Sequence, residues 1–357
     1  MTSEKVELEL WNLEIPLNPP IHSPREAVTR TFVLLAFLKD ADGRRGVGYS
    51  SFRKQPDLDR ATGMARNLAA QAGLTLPGML GVERIEAASA SENPANSKAA
   101  ANVLSLAAWD LAGQRANCAC ADLWGRPPNR DSLECYASAF WLDKSLDQLI
   151  DEGREHQKNN YRLVKMRVNR SVKESLERIA AVQTVYSEPR TIALETGFDW
   201  DVAIANEFYR EAPGEYLWIE DPASYDTIGQ IQRNDRNTIA AGEKCTSAAE
   251  LVDLYVNGGI RNLIIDVQYV GGPVRFLEAA RLLNALGATI GGHRFSHYSM
   301  HLLASLPRSL PIEMLDWTNP SVRPIPAPDA SGRLPVRGPG FGLTLNQSII
   351  DQHGVKV

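Results

Sequence analysis

The chain has 357 residues, enough for about two domains or one barrel with an appendage. Its 44% apolar and 23% charged content is that of an ordinary water-soluble protein, and a net charge of −5 without a dense Lys/Arg run argues against a nucleic-acid partner. The longest apolar stretch, TFVLLAFL, is too short to span a membrane, and the opening MTSEKVELEL does not read as a secretion signal, so a cytoplasmic location is expected.

In chain order, VELELWNLEI and TRTFVLLAFLKDADGRRGVGYSSF read as strands, the second broken by an Asp-Gly turn. Between them LNPPIHSPRE is Pro-rich and too polar for a core strand; a loop is expected. Helical patterns follow at about residues 61–73 and in NSKAAANVLSLAAWDLAGQRA, which makes residues 1–126 an α+β unit. From residue 127 the pattern alternates. Strand-like LECYAS, RLVKMRV, TIALET, YLWIED, TIAAGE, NLIIDV, ATIGGH and IEMLDW recur, most of them separated by amphipathic helices such as VKESLERIAAVQTVYS. Eight such units predict a closed parallel barrel over 127–317, and their even spacing favours it over an open doubly wound sheet. The Pro- and Gly-rich tail, 318–357, has no barrel-helix pattern and is expected to return to complete the first unit.

The strand ends carry the chemistry. Glu195, Glu220, Glu243, Asp266 and His293 close successive strands, 25, 23, 23 and 27 residues apart, and Glu313 opens the last one. One βα unit per step brings such residues to one place, the C-terminal mouth of a barrel. Three converging glutamates repel and take up protons unless a cation sits among them, and hard oxygen ligands suit Mg²⁺, with Mn²⁺ as the alternative. Asp266 beside His293 can fix the imidazole tautomer and raise the basicity of its other nitrogen. In VKMRV, Lys165 and Arg167 point to the same side of a strand, which is costly unless something anionic lies there. Other signals lead nowhere. His297 and His301 follow His293 at helical spacing without a zincin Glu, and are read as packing or surface residues. GPGFG precedes no helix, GYSSF lacks the last Gly of a nucleophile elbow, and Cys118, Cys120, Cys135 and Cys245 match neither a zinc site nor a disulfide framework.

The ordered set VKMRV, LETGFDW, WIEDPAS, AAGEKCTS, IIDVQYVGG, HRFSHYSMHLLASLP and IEMLDW resembles the enolase superfamily, within it the mandelate racemase subgroup, over essentially the whole chain. The resemblance implies an α/β fold: a modified (β/α)₇β barrel under an α+β capping domain built from both termini. It implies that Glu195, Glu220 and Glu243 ligate one Mg²⁺, that Asp266 and His293 are the orienting and base members of a dyad, and that Glu313 and Lys165 engage a substrate carboxylate. Ser138 falls where the subgroup often contacts substrate. His22, Arg25 and Arg53, in or beside the capping loops, are candidate contacts to its distal end. A small-molecule carboxylate is the expected partner, and a homo-oligomer the expected state.

Three departures from the subgroup matter. Glu195 stands where Asp is usual and Gly197 where Asn is frequent, and both bear on where the metal sits. Arg167 stands where racemases carry a second lysine. Arginine stays protonated above roughly pH 12, which makes it a clamp rather than a base. One good base, His293, suits syn elimination of water from a polyhydroxy acid to a 2-keto-3-deoxy acid. A racemase or epimerase using Arg167 as second base, and a non-catalytic carboxylate-binding member, remain alternatives. Cycloisomerases are less expected, because they carry lysine where this chain has Asp266.

Overall fold

The computed structural model describes residues 5–22, 27–88, 94–212, 214–232 and 238–357. The N-terminal strands β1 (Glu7–His22), β2 (Ala27–Lys39) and β3 (Arg45–Phe52) form an antiparallel sheet, with the chain's last strand, β13 (Gly354–Lys356), added beside β1. β3 is its other edge. Of the stretch expected to be a loop, residues 17–22 are instead the distal part of β1, and residues 23–26 lie outside the described residues. The strand runs on to His22, its pairing with β2 interrupted between Pro16 and Ile21. Its side chains there are exposed or half-buried, none fully buried, so polarity and proline are tolerated.

The Ala-rich helix Pro94–Ala116 lies against β3 at backbone distance. A Cβ on Gly46 or Gly48 would stand 2.1 Å from the carbonyl oxygen of Ala107 or Val103, so both positions need glycine. Burial of Leu34, Ala36, Leu38, Leu104 and Leu111 between helix and sheet makes this the core of the capping domain.

Eight parallel strands form the second sheet: β4 (Ser132–Ser138), β5 (Leu163–Arg167), β6 (Ile192–Glu195), β7 (Ile219–Glu220), β8 (Ile239–Ala241), β9 (Asn262–Ile265), β10 (Thr289–Gly292) and β11 (Ile312–Met314). They run in the order β10-β9-β8-β7-β6-β5-β4-β11, and Leu310 N–H donates to Ile290 O at 2.8 Å to join the two ends. Helices connect the strands, except that among the described residues β7 leads to β8 through a 3₁₀ turn, Ile228–Gln230. The tail serves both sheets: β12 (Arg333–Pro335) pairs with β4, and β13 with β1. Among the described residues no helix is long and apolar enough to cross a membrane, and the four cysteines are free thiols.

The barrel interior follows the strand period of two. Tyr136, Leu163, Ala193, Trp218 and Ile264 pack together inside it. Two residues further along the same strands stand Ser138, Lys165, Glu195, Glu220 and Asp266. An apolar plug therefore fills the barrel directly beneath a polar layer.

Cap and barrel are joined by a buried carboxylate. Glu83, in the capping helix Val82–Ala88, accepts the N–H groups of Val274 (3.0 Å) and Arg275 (3.3 Å), the first turn of barrel helix Pro273–Leu286. It thus satisfies helix donors left unpaired by the helix's own chain. The adjoining Gly272 has φ +130°, and any Cβ there would meet the Glu83 carboxylate. Burial pushes Glu83 up from 4.5 to about 7, against the hydrogen bonds from Ser105, Arg275 and Val274. An acid whose folded pKa is raised contributes stability that is fully present below its unfolded value and lost as pH rises through the folded one. Glu83→Gln keeps an acceptor without the charge. The melting temperature of the variant minus that of the wild type should therefore become more positive between pH 4.5 and pH 7, as thermal scans would show.

Candidate active site

From the middle of β5, Lys165 enters the polar layer with about 1% of its surface exposed. Its Nζ lies 2.8 Å from Glu220 Oε1, 2.9 Å from Glu313 Oε1 and 3.3 Å from Glu195 Oε2. Burial alone would discharge the lysine, but Glu220 and Glu313 raise its pKa well above the ordinary value. Glu220 is raised to about 8 by burial, with Lys165 opposing, and also accepts the Trp218 indole N–H at 2.8 Å. Glu195 accepts the N–H of Gly197 at 2.6 Å.

Oxygens of Glu195, Glu220 and Glu243 all lie within 4.8 Å of one another. Behind them Asp221 is fully buried at φ +48°, and neither of its carboxylate oxygens has a hydrogen-bond partner. Burial first, then Glu243, Glu195 and Glu220, hold its pKa well above the usual range. Three converging oxygen donors and an orphaned carboxyl behind them fit a hard divalent cation.

Across the mouth, Asp266 Oδ2 meets His293 Nδ1 at 2.9 Å, while Oδ1 accepts the N–H groups of Gln268 (2.8 Å) and Tyr269 (3.1 Å). Arg294 adds a second cation to the same Oδ2, through Nε at 3.1 Å and Nη2 at 2.7 Å. Burial pushes Asp266 up, but Arg294 and His293 outweigh it and keep the carboxylate ionised. His293 Nε2 lies 3.0 Å from Glu243 Oε2. Burial opposes its protonation, yet Glu243 and Asp266 raise its pKa well above that of an ordinary imidazole. Against its own burial, Glu243 is drawn down to about 2 by His293.

Arg294 and Phe295 follow at φ +52° and +47°. Two successive non-glycine residues in that region cost about 1–2 kcal/mol each. The turn is held by Phe295, fully buried with its ring 5.4 Å from Tyr49, and by the Arg294 N–H, which donates to Glu313 Oε2 at 2.8 Å. Ser138 donates to Glu313 Oε1 at 2.7 Å and does not line the cavity. Lys165, His293 and Arg167 outweigh burial and hold Glu313 far below the usual carboxylate range. Here it is an ionised acceptor, and hydrogen-bonding a second carboxylate requires it to gain a proton.

A cavity of about 450 Å³ opens above this layer. Arg167 and Arg53 both line it, each over an indole: Arg167 Cζ is 3.9 Å from the Trp141 centroid and Arg53 Cζ 4.7 Å from that of Trp317. Arg167 also donates to Ala139 O at 3.0 Å. The cap forms the roof. Gln268, two residues past Asp266, accepts Ser51 N–H at 2.9 Å and donates to Ser51 O at 3.1 Å, so one amide takes the place of a strand beside β3. His22 pairs with Ala27 at the end of β1 and is not among the lining residues; Arg25 lies outside the described residues. His301 is buried between Ala121 N and Phe341 O, and His297 lies away from the cavity. Asp221, Gln268, Arg294, Trp141 and Trp317 escape sequence reasoning. Only Asp221 carries a local signal, as the second carboxylate of WIED.

The family described as enolase C-terminal domain-like matches residues 146–349. Among curated relatives, the 3,6-anhydro-α-L-galactonate cycloisomerase of Streptomyces coelicolor is 25% identical over 96% of this chain and 97% of its own. A putative L-rhamnonate dehydratase of Caldivirga maquilingensis is 27% identical over 70% and 66%. Among solved structures, the L-talarate dehydratase of a Polaromonas species, complexed with Mg and L-glucarate, superposes with a TM-score of 0.87 at 25% identity, covering 99% of each chain. The L-talarate/galactarate dehydratase of Salmonella typhimurium shares the fold at TM-score 0.88 and 23% identity, over 100% of this chain and 95% of its own.

The Gln268 contact gives a direct stability prediction. Gln268→Leu leaves the buried N–H and C=O of Ser51 without those partners, at about 1–3 kcal/mol per group. Denaturant unfolding should register a loss of roughly 2–6 kcal/mol, with Gln268→Glu, which keeps only an acceptor, falling between.

Proposed function

Because this chain belongs to the enolase superfamily, in the branch of the mandelate racemases and muconate lactonizing enzymes, we propose that it is an acid-sugar dehydratase. It would remove the α-proton of a polyhydroxy carboxylate and expel the β-hydroxyl, giving a 2-keto-3-deoxy acid. One observation carries the reading: a histidine tied to Asp266 faces the cavity, while the cation two residues after Lys165 is an arginine packed on Trp141 and hydrogen-bonded to Ala139 O. That is one base and one clamp. The dehydratases among its relatives and structural neighbours support the same chemistry.

Glu195, Glu220 and Glu243 are the residues that would hold Mg²⁺, or Mn²⁺ in its place. The ion, when bound, supplies fixed positive charge facing the substrate carboxylate. The protein does the rest. With Glu243 turned to an ion and no longer against Nε2, His293 would be neutral there and take the α-proton, while Asp266, kept ionised by Arg294, holds Nδ1–H and stabilises the imidazolium that forms. Charge building up on the substrate carboxylate meets Lys165, whose ammonium is already desolvated and oriented. Glu313 would join it as the protonated acid, the proton coming from solvent as the substrate binds, since two carboxylates at contact share one. The imidazolium then returns its proton to the β-hydroxyl as that group leaves, and the enol tautomerises to the ketone.

A second reading has its own support, in the relative named a cycloisomerase that aligns with nearly the whole chain. If the β-oxygen belongs to a ring, the same elimination opens the ring and loses no water. Mass spectrometry separates the two outcomes: product lighter by water, or isomeric with substrate.

Incubating the Mg²⁺-loaded protein with mono- and dicarboxylic sugar acids should yield 2-keto-3-deoxy product from at least one of them. EDTA should abolish that activity and Mg²⁺ restore it; full activity in verified metal-free protein would remove the triglutamate assignment.

His293→Asn should lower turnover by about 10²- to 10⁴-fold with folding intact. In D₂O the wild-type protein should exchange the α-proton of one epimer only. Comparable exchange of both epimers would make Arg167 a base and put racemisation in place of dehydration.

A further inference from the structure

The three glutamates stand where three strands run out into loops, and those loops are fastened to one another at the rim of the barrel. The pairing of β8 with β7 ends at Ala240 and its pairing with β9 at Ala241. The backbone then turns away at Gly242, φ +126°, so Glu243 stands two residues beyond the sheet. A side chain takes over there. Tyr225, from the loop after β7, sets its phenol oxygen against the N–H groups on both sides of Glu243. Gly242 donates to it at 2.8 Å and Lys244 at 3.4 Å. One oxygen thus fixes the turn that carries the third glutamate. Glu243 Oε2 is also 3.0 Å from His293 Nε2, so the same turn sets the distance from carboxylate to base.

The phenol is in turn held from the loop after β6. There Gly197 N–H holds Glu195 Oε1 at 2.6 Å, and Phe198 follows at φ +61°. A phenylalanine in the left-handed region costs about 1–2 kcal/mol and needs packing to stay there. The ring finds it between the other two loops, with the Tyr225 ring 5.2 Å away and Lys244 Nζ 3.4 Å from its centroid. Phe198, Tyr225 and Lys244 come three, five and one residues after Glu195, Glu220 and Glu243. Each loop that brings a glutamate therefore brings one member of a belt around them. Like charges inside the belt press the loops apart, and the belt opposes that.

We propose that Tyr225 is a positioning residue for the divalent metal and that Phe198 acts through it, the two together setting the spacing of Glu195 and Glu243. This rests on the triglutamate reading above and extends it to residues outside the ligand set. Selectivity among ions is the consequence. Mg²⁺ demands near-octahedral oxygens at roughly 2.0–2.1 Å, whereas Ca²⁺ accepts a wider and less regular shell. A looser turn at Glu243 should therefore weaken Mg²⁺ more than Ca²⁺.

Calorimetry on the metal-free protein, with Mg²⁺ and separately Ca²⁺ as titrant, measures this without turnover. Tyr225→Phe keeps the ring and removes one oxygen. Its Mg²⁺ affinity should fall about 10-fold or more, the usual scale for a group that supports a ligand, and its Ca²⁺ affinity about 3-fold or less. Phe198→Leu should shift the two constants in the same sense by a smaller factor. The double variant should lose less than the product of the single losses, because both changes loosen one assembly. Melting curves in EDTA check that each variant is folded, and if Tyr225→Phe is not, Phe198→Leu decides on the same two constants. Wild-type Mg²⁺ affinity in the variants overturns the proposal, and so do equal losses for the two ions, which a general loosening of the fold would give. Single losses that simply multiply would separate Phe198 from Tyr225 and overturn the belt. Failure of the underlying reading looks different. Mg²⁺ binding that survives Glu243→Gln removes the triglutamate site and the positioning role with it; binding that needs Glu243 and ignores Tyr225 removes the positioning role alone.

Discussion

Lys165 gives up its hydration shell to stand among Glu195, Glu220 and Glu313, and the surrounding barrel mouth is arranged around that cost. A desolvated ammonium is tolerable only if its anions are close and their remaining lone pairs are occupied. Glu220 is tied to Trp218, Glu195 to the Gly197 amide, and Glu313 to the Ser138 hydroxyl and the Arg294 amide. The last of these bonds requires the backbone to pass through the left-handed region at Arg294. Packing of Phe295 on Tyr49, a residue of the cap, helps to hold it there. The electrostatics of one buried lysine thus reach into the contact between two layers of the fold.

The rigidity of this arrangement comes from below. Tyr136, Ala193, Trp218 and Ile264 fill the barrel two residues before Ser138, Glu195, Glu220 and Asp266 on the same strands. A side chain in the polar layer cannot sink into the barrel to escape a like charge. It must be neutralised where it stands, by protonation, by a cationic side chain or by an ion.

What was legible in the sequence follows this geometry. A strand end recurring at one βα spacing is a one-dimensional signal of a three-dimensional convergence, so Glu195, Glu220, Glu243, Asp266 and His293 could be picked out before any coordinates. The period of two likewise assigned Lys165 and Arg167 to one side of β5. Contacts between distant segments carry no such period. Nothing in HRF says that Arg294 will turn back onto Asp266, and nothing in DVQ says that Gln268 will grip a strand more than two hundred residues earlier. The two tryptophans read as ordinary apolar residues until their indoles are seen facing one cavity. LNPPIH failed for the opposite reason: its composition describes exposure correctly, but an exposed strand can be as polar as a loop.

The amide of Gln268 has a meaning for the life of the protein as well as for its chemistry. β3 is a sheet edge, and VGYSSF is a run through which another polypeptide could hydrogen-bond to it. With Gln268 in place, the backbone of Ser51 is already occupied and the helix after Asp266 stands in the way. If the cap lifts from the barrel, that edge is uncovered at the moment the cavity loses its roof. Partial opening would then be self-associating as well as inactive, and selection against aggregation would act on the same glutamine as selection for a closed site.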